Sequence, residues 1–149
     1  MKLRLLYRVR LRYSGSWEVA LGASGSTESQ HFYVAEGTCE GRIAGTFRGA
    51  NHPRRRGDRT FEPNFQGVIE TTDGATIFFD YRGYGRAYPA GRRQVVASAT
   101  HLSDHESYKW LNDCLAVGEG EVRTISEGQV EVVIDWSEVV WEPVADDQR

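Results

Sequence analysis

Apolar and polar positions alternate with a period of two along most of this chain. Leu3, Leu5, Tyr7, Val9 and Leu11 fall on one parity, and Lys2, Arg4, Leu6, Arg8, Arg10 and Arg12 on the other. This is the pattern of a strand with one dry, aliphatic face and one wet, cationic face. Ser14, Gly15 and Ser16 punctuate the chain before a shorter strand at 17–21, and 22–29 reads as a flexible loop. A second extended region opens at His31 and runs to Gly49. Gly37, Gly41, Gly45 and Gly49 recur in it every four residues. On a single strand that spacing sets all four on one face, where a sheet bends or another backbone or a bound molecule comes close.

Pro53 and Pro63 exclude a helix around the polar loop at 51–59. Strands at 65–71 and 76–82, joined through Thr72-Asp73-Gly74, form the clearest hairpin, because Asp-Gly supplies the positive φ of a tight connection. After a loop at 83–91, Val95, Ala97, Ala99 and His101 alternate with Gln94, Val96, Ser98 and Thr100 in a further strand. Ser103 followed by Glu106 has capping-box spacing and predicts a short helix with Tyr108, Leu111 and Leu115 on one face. Strands at 117–125 and 129–141 close the chain, the latter with Val130, Val132, Ile134 and Trp136 on one side, and the polar tail after Pro143 is expected to fray. Seven to nine strands with one short late helix predict a mainly β fold: an antiparallel, closed or nearly closed β-barrel, which removes exposed sheet edges.

The 149 residues fit one domain, 1–149, and 40% hydrophobic with 26% charged residues is ordinary globular composition. A net charge of −3 argues against a dedicated nucleic-acid binder. Basic residues crowd the start and the 54–59 loop while acids dominate after Asp104, so opposed patches are expected to guide a homodimer or higher homo-oligomer. Cys39 and Cys114 belong to no CxxC pair and read as two reduced, buried thiols. With no export-type apolar segment and no run of membrane-spanning length, the expected location is the cytoplasm, with no membrane partner.

The order Gly37-Thr38-Cys39-Glu40-Gly41, Gly45, Gly49, Thr72-Asp73-Gly74-Ala75 with Ile77, Tyr108-Lys109-Trp110-Leu111-Asn112 and Val117-Gly118 resembles the bacterial domain-of-unknown-function 3237 family from Leu3 to about Trp141. The resemblance implies a compact barrel, similar in outline to calycin and allene-oxide-cyclase-like barrels, with a ligand cavity inside and no established reaction. The long 52–59 loop and the 135–141 ending depart from that pattern.

No nucleophile elbow, phosphate loop, HExxH or dinucleotide fingerprint is present, so no cofactor is expected and catalysis would be acid–base chemistry in an apolar cavity. Four histidines without ligand spacing predict no metal site. Glu70, Asp80 and Arg82 share strand parity across the 65–82 hairpin. Turned inward, Arg82 would hold an oxyanion while Asp80 or Glu70 moves a proton; turned outward, they form a solvated salt-bridge face. Tyr81, on the opposite face with Ile77 and Phe79, is expected to aim its hydroxyl into a cavity mouth or to be a satisfied core residue. His101, with Asp104 or His105 as orienter, is a candidate base or a capping histidine; His31 and His52 rank below it. Phe79, Tyr84 and Trp110 are the expected ligand-binding aromatics. The reading is a small-molecule-binding barrel, acting as a cofactor-free lyase, cyclase or isomerase on a small apolar or aromatic oxygenated metabolite. A non-catalytic ligand-binding barrel and a structural homo-oligomer stay open beside it.

Overall fold

The computed structural model describes residues 1–23, 26–87 and 92–146. Within them β1 (Lys2–Ala20), β2 (Ser29–Gly41), β3 (Gly45–Asn51), β4 (Arg54–Arg55), β5 (Phe61–Glu62), β6 (Asn64–Thr71), β7 (Thr76–Arg86), β8 (Gln94–Leu102), β9 (Leu115–Ser126) and β10 (Gln129–Val140) form one antiparallel sheet. Eight of these strands close into a barrel in the order β1-β2-β3-β6-β7-β8-β9-β10, and β10 returns to β1. Every long strand is thereby paired on both edges, which removes the aggregation-prone edge of an open sheet. The short β4 and β5 bridge β2 to β7 at the end of the barrel where β3 and β6 stop. Pro53 and Pro63 sit at those stops, where a residue without an N–H ends a ladder.

β1 departs from simple alternation. Its pairing with β10 steps from Leu5↔Ser137 to Tyr7↔Trp136, so Leu6 is the extra residue of a bulge. Leu6 and Tyr7 are both buried, whereas Leu3 and Leu5, expected on the inner face, are exposed because the bulge flips the parity before it. The bulge also serves the next hairpin. Its Leu6 carbonyl accepts the Arg42 N–H at 2.8 Å, and Gly41, at φ 136°, leaves room where a Cβ would meet that carbonyl at 2.9 Å. The region from His31 to Gly49 is thus two strands around a turn at 42–44, not one. A second shift, between Tyr13 and Gly15 against β2, lets β1 run on through the Ser14–Ser16 punctuation to Ala20.

The remaining differences are local. The expected helix is a five-residue 3-10 turn, Lys109–Asp113, because the Ser103 hydroxyl donates to the Thr76 carbonyl at 2.9 Å and does not cap a helix; Leu115 belongs to β9 and is exposed. The expected loop from Gly83 continues as β7 to Arg86, and its residues 88–91 lie outside the described residues, as do 24–25 of the first loop and 147–149 of the tail. The hairpin at Thr72-Asp73-Gly74 forms as expected, with Gly74 at φ 90°. No helix is long and apolar enough to cross a membrane among the described residues.

The basic outer face of β1 meets acids of its own molecule. Arg8 forks onto Asp135, Nε to Oδ1 at 2.6 Å and Nη2 to Oδ2 at 2.8 Å, and Arg10 lies 3.6 Å from Glu131 and 3.5 Å from Glu40. The basic and acidic stretches that read as opposed patches therefore partly neutralise each other within one barrel.

Ile43, Ala75 and Leu111, from three successive connections, plug one end of the barrel. Above them Phe47, Phe65 and Phe79 cluster with ring centroids 4.6–5.5 Å apart. Trp136 fits beside Gly118, where a Cβ would meet the indole at 2.6 Å, so β9 must be side-chain-free at that point. One polar pair crosses this apolar core: the Tyr7 hydroxyl and His101 Nε2, 2.7 Å apart.

His101 is 1% exposed, its Nδ1 has no hydrogen-bond partner, and burial pushes its pKa down to about 4. It is neutral in the fold, while the unfolded chain takes up a proton below about 6.5. Its stabilising contribution is therefore complete above pH 6.5 and is lost as the pH falls towards about 4, a loss of about 3 kcal/mol. Urea unfolding between pH 7 and pH 4 should show this slope, and His101→Gln, which keeps a partner for Tyr7 without titrating, should flatten it; an equal slope in both proteins would assign the effect to other groups.

Candidate functional site

The end opposite the plug is open. There the inner faces of β1, β2, β7, β8 and β10 frame a cavity of about 470 Å³ that the β4–β5 hairpin partly roofs. A pocket of this size suits a small organic ligand. Its floor is Tyr81, buried and stacked on Phe65 at 4.9 Å, with Trp136 5.3 Å away. Valines at 95, 122, 130 and 132 form an aliphatic wall.

The opposite wall is aromatic. Tyr13 of β1 and Tyr33 of β2 stack at 4.5 Å, and His31 stacks on Tyr33 at 5.6 Å and packs against Phe61 at 5.3 Å. Ser29, His31 and Tyr33 share one face of β2, because alternate residues of a strand point the same way. They are also hydrogen-bonded in series. Tyr33 Oη lies 3.1 Å from His31 Nδ1, and His31 Nε2 lies 2.7 Å from Ser29 Oγ. Burial lowers the His31 pKa, the nearby Glu18 charge opposes this, and Arg55 reinforces it, so the imidazole is neutral near pH 7. With its proton on Nε2, donated to Ser29, His31 offers Nδ1 as acceptor to the Tyr33 hydroxyl. Burial raises the Tyr13 and Tyr33 pKa values, with Arg93 pulling both back, and raises that of Tyr81 further. All three phenols are therefore hydrogen-bond donors at neutral pH.

The rim carries Arg55, Arg59, Arg86 and Arg93. Two of them flank Phe61, with guanidinium carbons 5.7 Å (Arg55) and 6.0 Å (Arg93) from the ring centroid. Arg59 is placed by the turn of the β4–β5 hairpin, where it adopts φ 70° and its N–H bonds the Arg56 carbonyl at 3.0 Å. Asp58 fixes that turn by accepting the Thr60 N–H, and the Arg56 guanidinium holds its carboxyl well below the usual range.

The residues singled out from sequence scatter relative to this cavity. Glu70, Asp80 and Arg82 are exposed on the outer wall, since Phe79 and Tyr81 between them point inward. The hairpin pairs Glu70 with Thr76 but Asp80 with Gln66 and Arg82 with Asn64, so Glu70 stands well away from the other two. Asp80 accepts from Gln66 at 3.4 Å and lies 3.9 Å from Arg82, the geometry of a solvated pair. Tyr81 faces the cavity as expected. His101 is in the core beneath it and is oriented by Tyr7; Asp104 is exposed and His105 bonds the Ser107 N–H. Phe79 is core. Trp110 lies on the plug side, under the Arg42 guanidinium at 4.6 Å, and Tyr84 is exposed on the outer face near Arg56.

Among the described residues no group of three His, Cys, Asp or Glu side chains is arranged to hold a metal ion. Cys39 is buried, and burial pushes its thiol up to about 12; Cys114 is only half-buried and donates to the Trp110 carbonyl at 3.0 Å. Both thiols are free.

The barrel matches several solved structures. A β-barrel-like protein from Acinetobacter baumannii AYE is 18% identical, with 92% of this chain and 94% of that one covered at TM-score 0.74. A protein of unknown function from Clostridium acetobutylicum is 15% identical, with 94% and 100% covered at TM-score 0.76. A protein from Penicillium herquei described as an enzyme is 20% identical, with 91% and 93% covered at TM-score 0.66. No functionally curated protein matches the sequence. The family model described as protein of unknown function (DUF3237) matches residues 1–139, and the chain belongs to that family.

Proposed function

We propose that the chain binds a small, planar, oxygenated molecule in the open mouth of the barrel and moves a proton on it without a cofactor, as a lyase, cyclase or isomerase. The observation that carries this reading is the series Tyr33–His31–Ser29, a phenol at the cavity wall backed by a neutral imidazole. The Tyr33 oxygen takes a proton from an acidic C–H or O–H of the ligand as its own proton passes to His31 Nδ1. The imidazolium so formed returns the proton through Tyr33 to a different ligand atom, which completes an isomerisation or ring closure with no net gain or loss of protons. Tyr13 and Tyr81 donate hydrogen bonds to the ligand's developing oxyanion. The Penicillium herquei relative described as an enzyme supports a catalytic barrel of this shape.

Incubation with a library of small carbonyl and aromatic metabolites, followed by native mass spectrometry and product analysis, tests the reading. The parent should convert a ligand that Tyr33→Phe retains but converts about a hundredfold more slowly. Retention without conversion by both proteins would favour a binding barrel. Conversion lost in Asp80→Asn but intact in Tyr33→Phe would move the chemistry to the outer wall.

The pH profile gives an independent check. Because neutral His31 is the active form and its pKa is lowered, the acidic limb of kcat/KM should have its midpoint below the ordinary histidine value of about 6.5. His31→Gln should abolish that limb together with most of the rate. A limb centred above pH 6.5 would contradict the role given to His31.

A further inference from the structure

The mouth is cationic in a way that the composition of the chain does not demand. The protein has 21 acidic and 18 basic residues, yet among the described residues four arginines line this cavity and no Asp or Glu does. Several arginines elsewhere are matched with carboxylates: Arg8 with Asp135, Arg54 with Glu28, Arg56 with Asp58 and Glu62, and Arg92 with Glu121. Neighbours on the same segments thus differ sharply. Arg54 and Arg56 are ion-paired while Arg55 between them is not, and Arg92 is ion-paired while Arg93 turns to Phe61. Among the described residues Arg55, Arg59 and Arg93 form no ion pair.

Two donors at the cavity are also left without acceptors. Arg55 Nε on β4 and Gln94 Nε2 on β8 are both buried and make no hydrogen bond. A buried donor without a partner is costly, and an acceptor brought by a ligand relieves that cost. The aromatic surfaces of Phe61, Tyr13 and Tyr33 lie beside these donors and suit a flat ring.

We infer that the mouth is a selective site for a planar oxyanion, a conjugated carboxylate or enolate, with Arg55 and Gln94 as the groups that recognise its charged oxygen and Arg93 as the cation that holds it against the Phe61 ring. This rests on the mouth being the ligand site and adds the charge and shape of the ligand. The guanidinium plane of Arg55 matches a two-oxygen anion, and the ring of the ligand takes the place of water against Phe61. A neutral molecule of the same shape fills the cavity but leaves the charges of Arg55 and Arg93 uncompensated.

The test uses two probes of nearly the same shape, the anionic 2-naphthoate and the neutral 2-naphthamide, titrated calorimetrically at low ionic strength. The parent should bind the naphthoate at least about tenfold more tightly, with the preference shrinking as salt is added. Arg55→Gln and Arg93→Gln, each verified to melt cooperatively, should reduce that preference to about twofold, with naphthoate affinity falling more than naphthamide affinity. Equal binding of the two probes by the parent would overturn the anion selectivity and leave the mouth as a ligand site. A preference that survives in both variants would overturn the assignment to these arginines. Binding of neither probe would overturn the selectivity and count against the mouth as the ligand site itself.

Discussion

β1 carries ladder hydrogen bonds on both edges, to β10 along one and to β2 along the other, and this double pairing turns a sheet into a cup. Closure forces a strict division between inside and outside, since each residue of a paired strand points either to the core or to solvent. The division has to be adjusted at the plugged end, where the strand starts from exposed Leu3 and Leu5 and must deliver Tyr7, Val9 and Leu11 to the interior. The Leu6 bulge makes the adjustment, and the carbonyl it frees anchors the turn after Gly41. Closing the barrel at this end leaves the other end to be shaped by the two prolines and the β4–β5 hairpin, so the position of the cavity follows from how the sheet closes.

Much of the barrel is legible in the residues because period-two patterning survives wherever one face is buried. Val95, Ala97, Ala99 and His101, or Val132, Ile134 and Trp136, announce both their strands and their inner faces. What alternation does not carry is the residue that breaks it. Leu6 is apolar on a polar parity, which was the visible trace of the bulge, and the turn at 42–44 contains none of the Asn-Gly or Asp-Gly chemistry that marked the hairpin at 72–74. The late helix fails for a related reason. A serine three residues before a glutamate resembles a cap, but the Ser103 hydroxyl is held by β7, and capping depends on where the hydroxyl points rather than on spacing.

The candidate site was less legible because charged residues attract attention to the wrong face. Glu70, Asp80 and Arg82 share a parity, and in a closed barrel that parity was already assigned to solvent by Ile77, Phe79 and Tyr81. Tyr81 was on the correct face by the same rule. The signal for the Tyr33–His31–Ser29 series was present as polar residues at alternate positions of β2, but Ser29 falls in the expected 22–29 loop and His31 ranks below His101 until the register across β1 brings Tyr13 onto Tyr33. The rim was split between the 54–59 loop and the start of β8, segments that only the bridging of β2 to β7 brings around one opening. His101 illustrates the opposite case: its ring is inside, but the Phe79 and Tyr7 contacts make it part of the core.

Backbone amide shifts on titration with 2-naphthoate distinguish the open mouth from the outer wall and the plugged end as the functional face. The largest changes in the proton–nitrogen correlation spectrum are expected at Tyr33, Arg55, Phe61, Gln94 and Val132, which surround the cavity. Changes confined to Gln66, Asp80 and Arg82 on the outer wall, or to Trp110 at the plugged end, would contradict it.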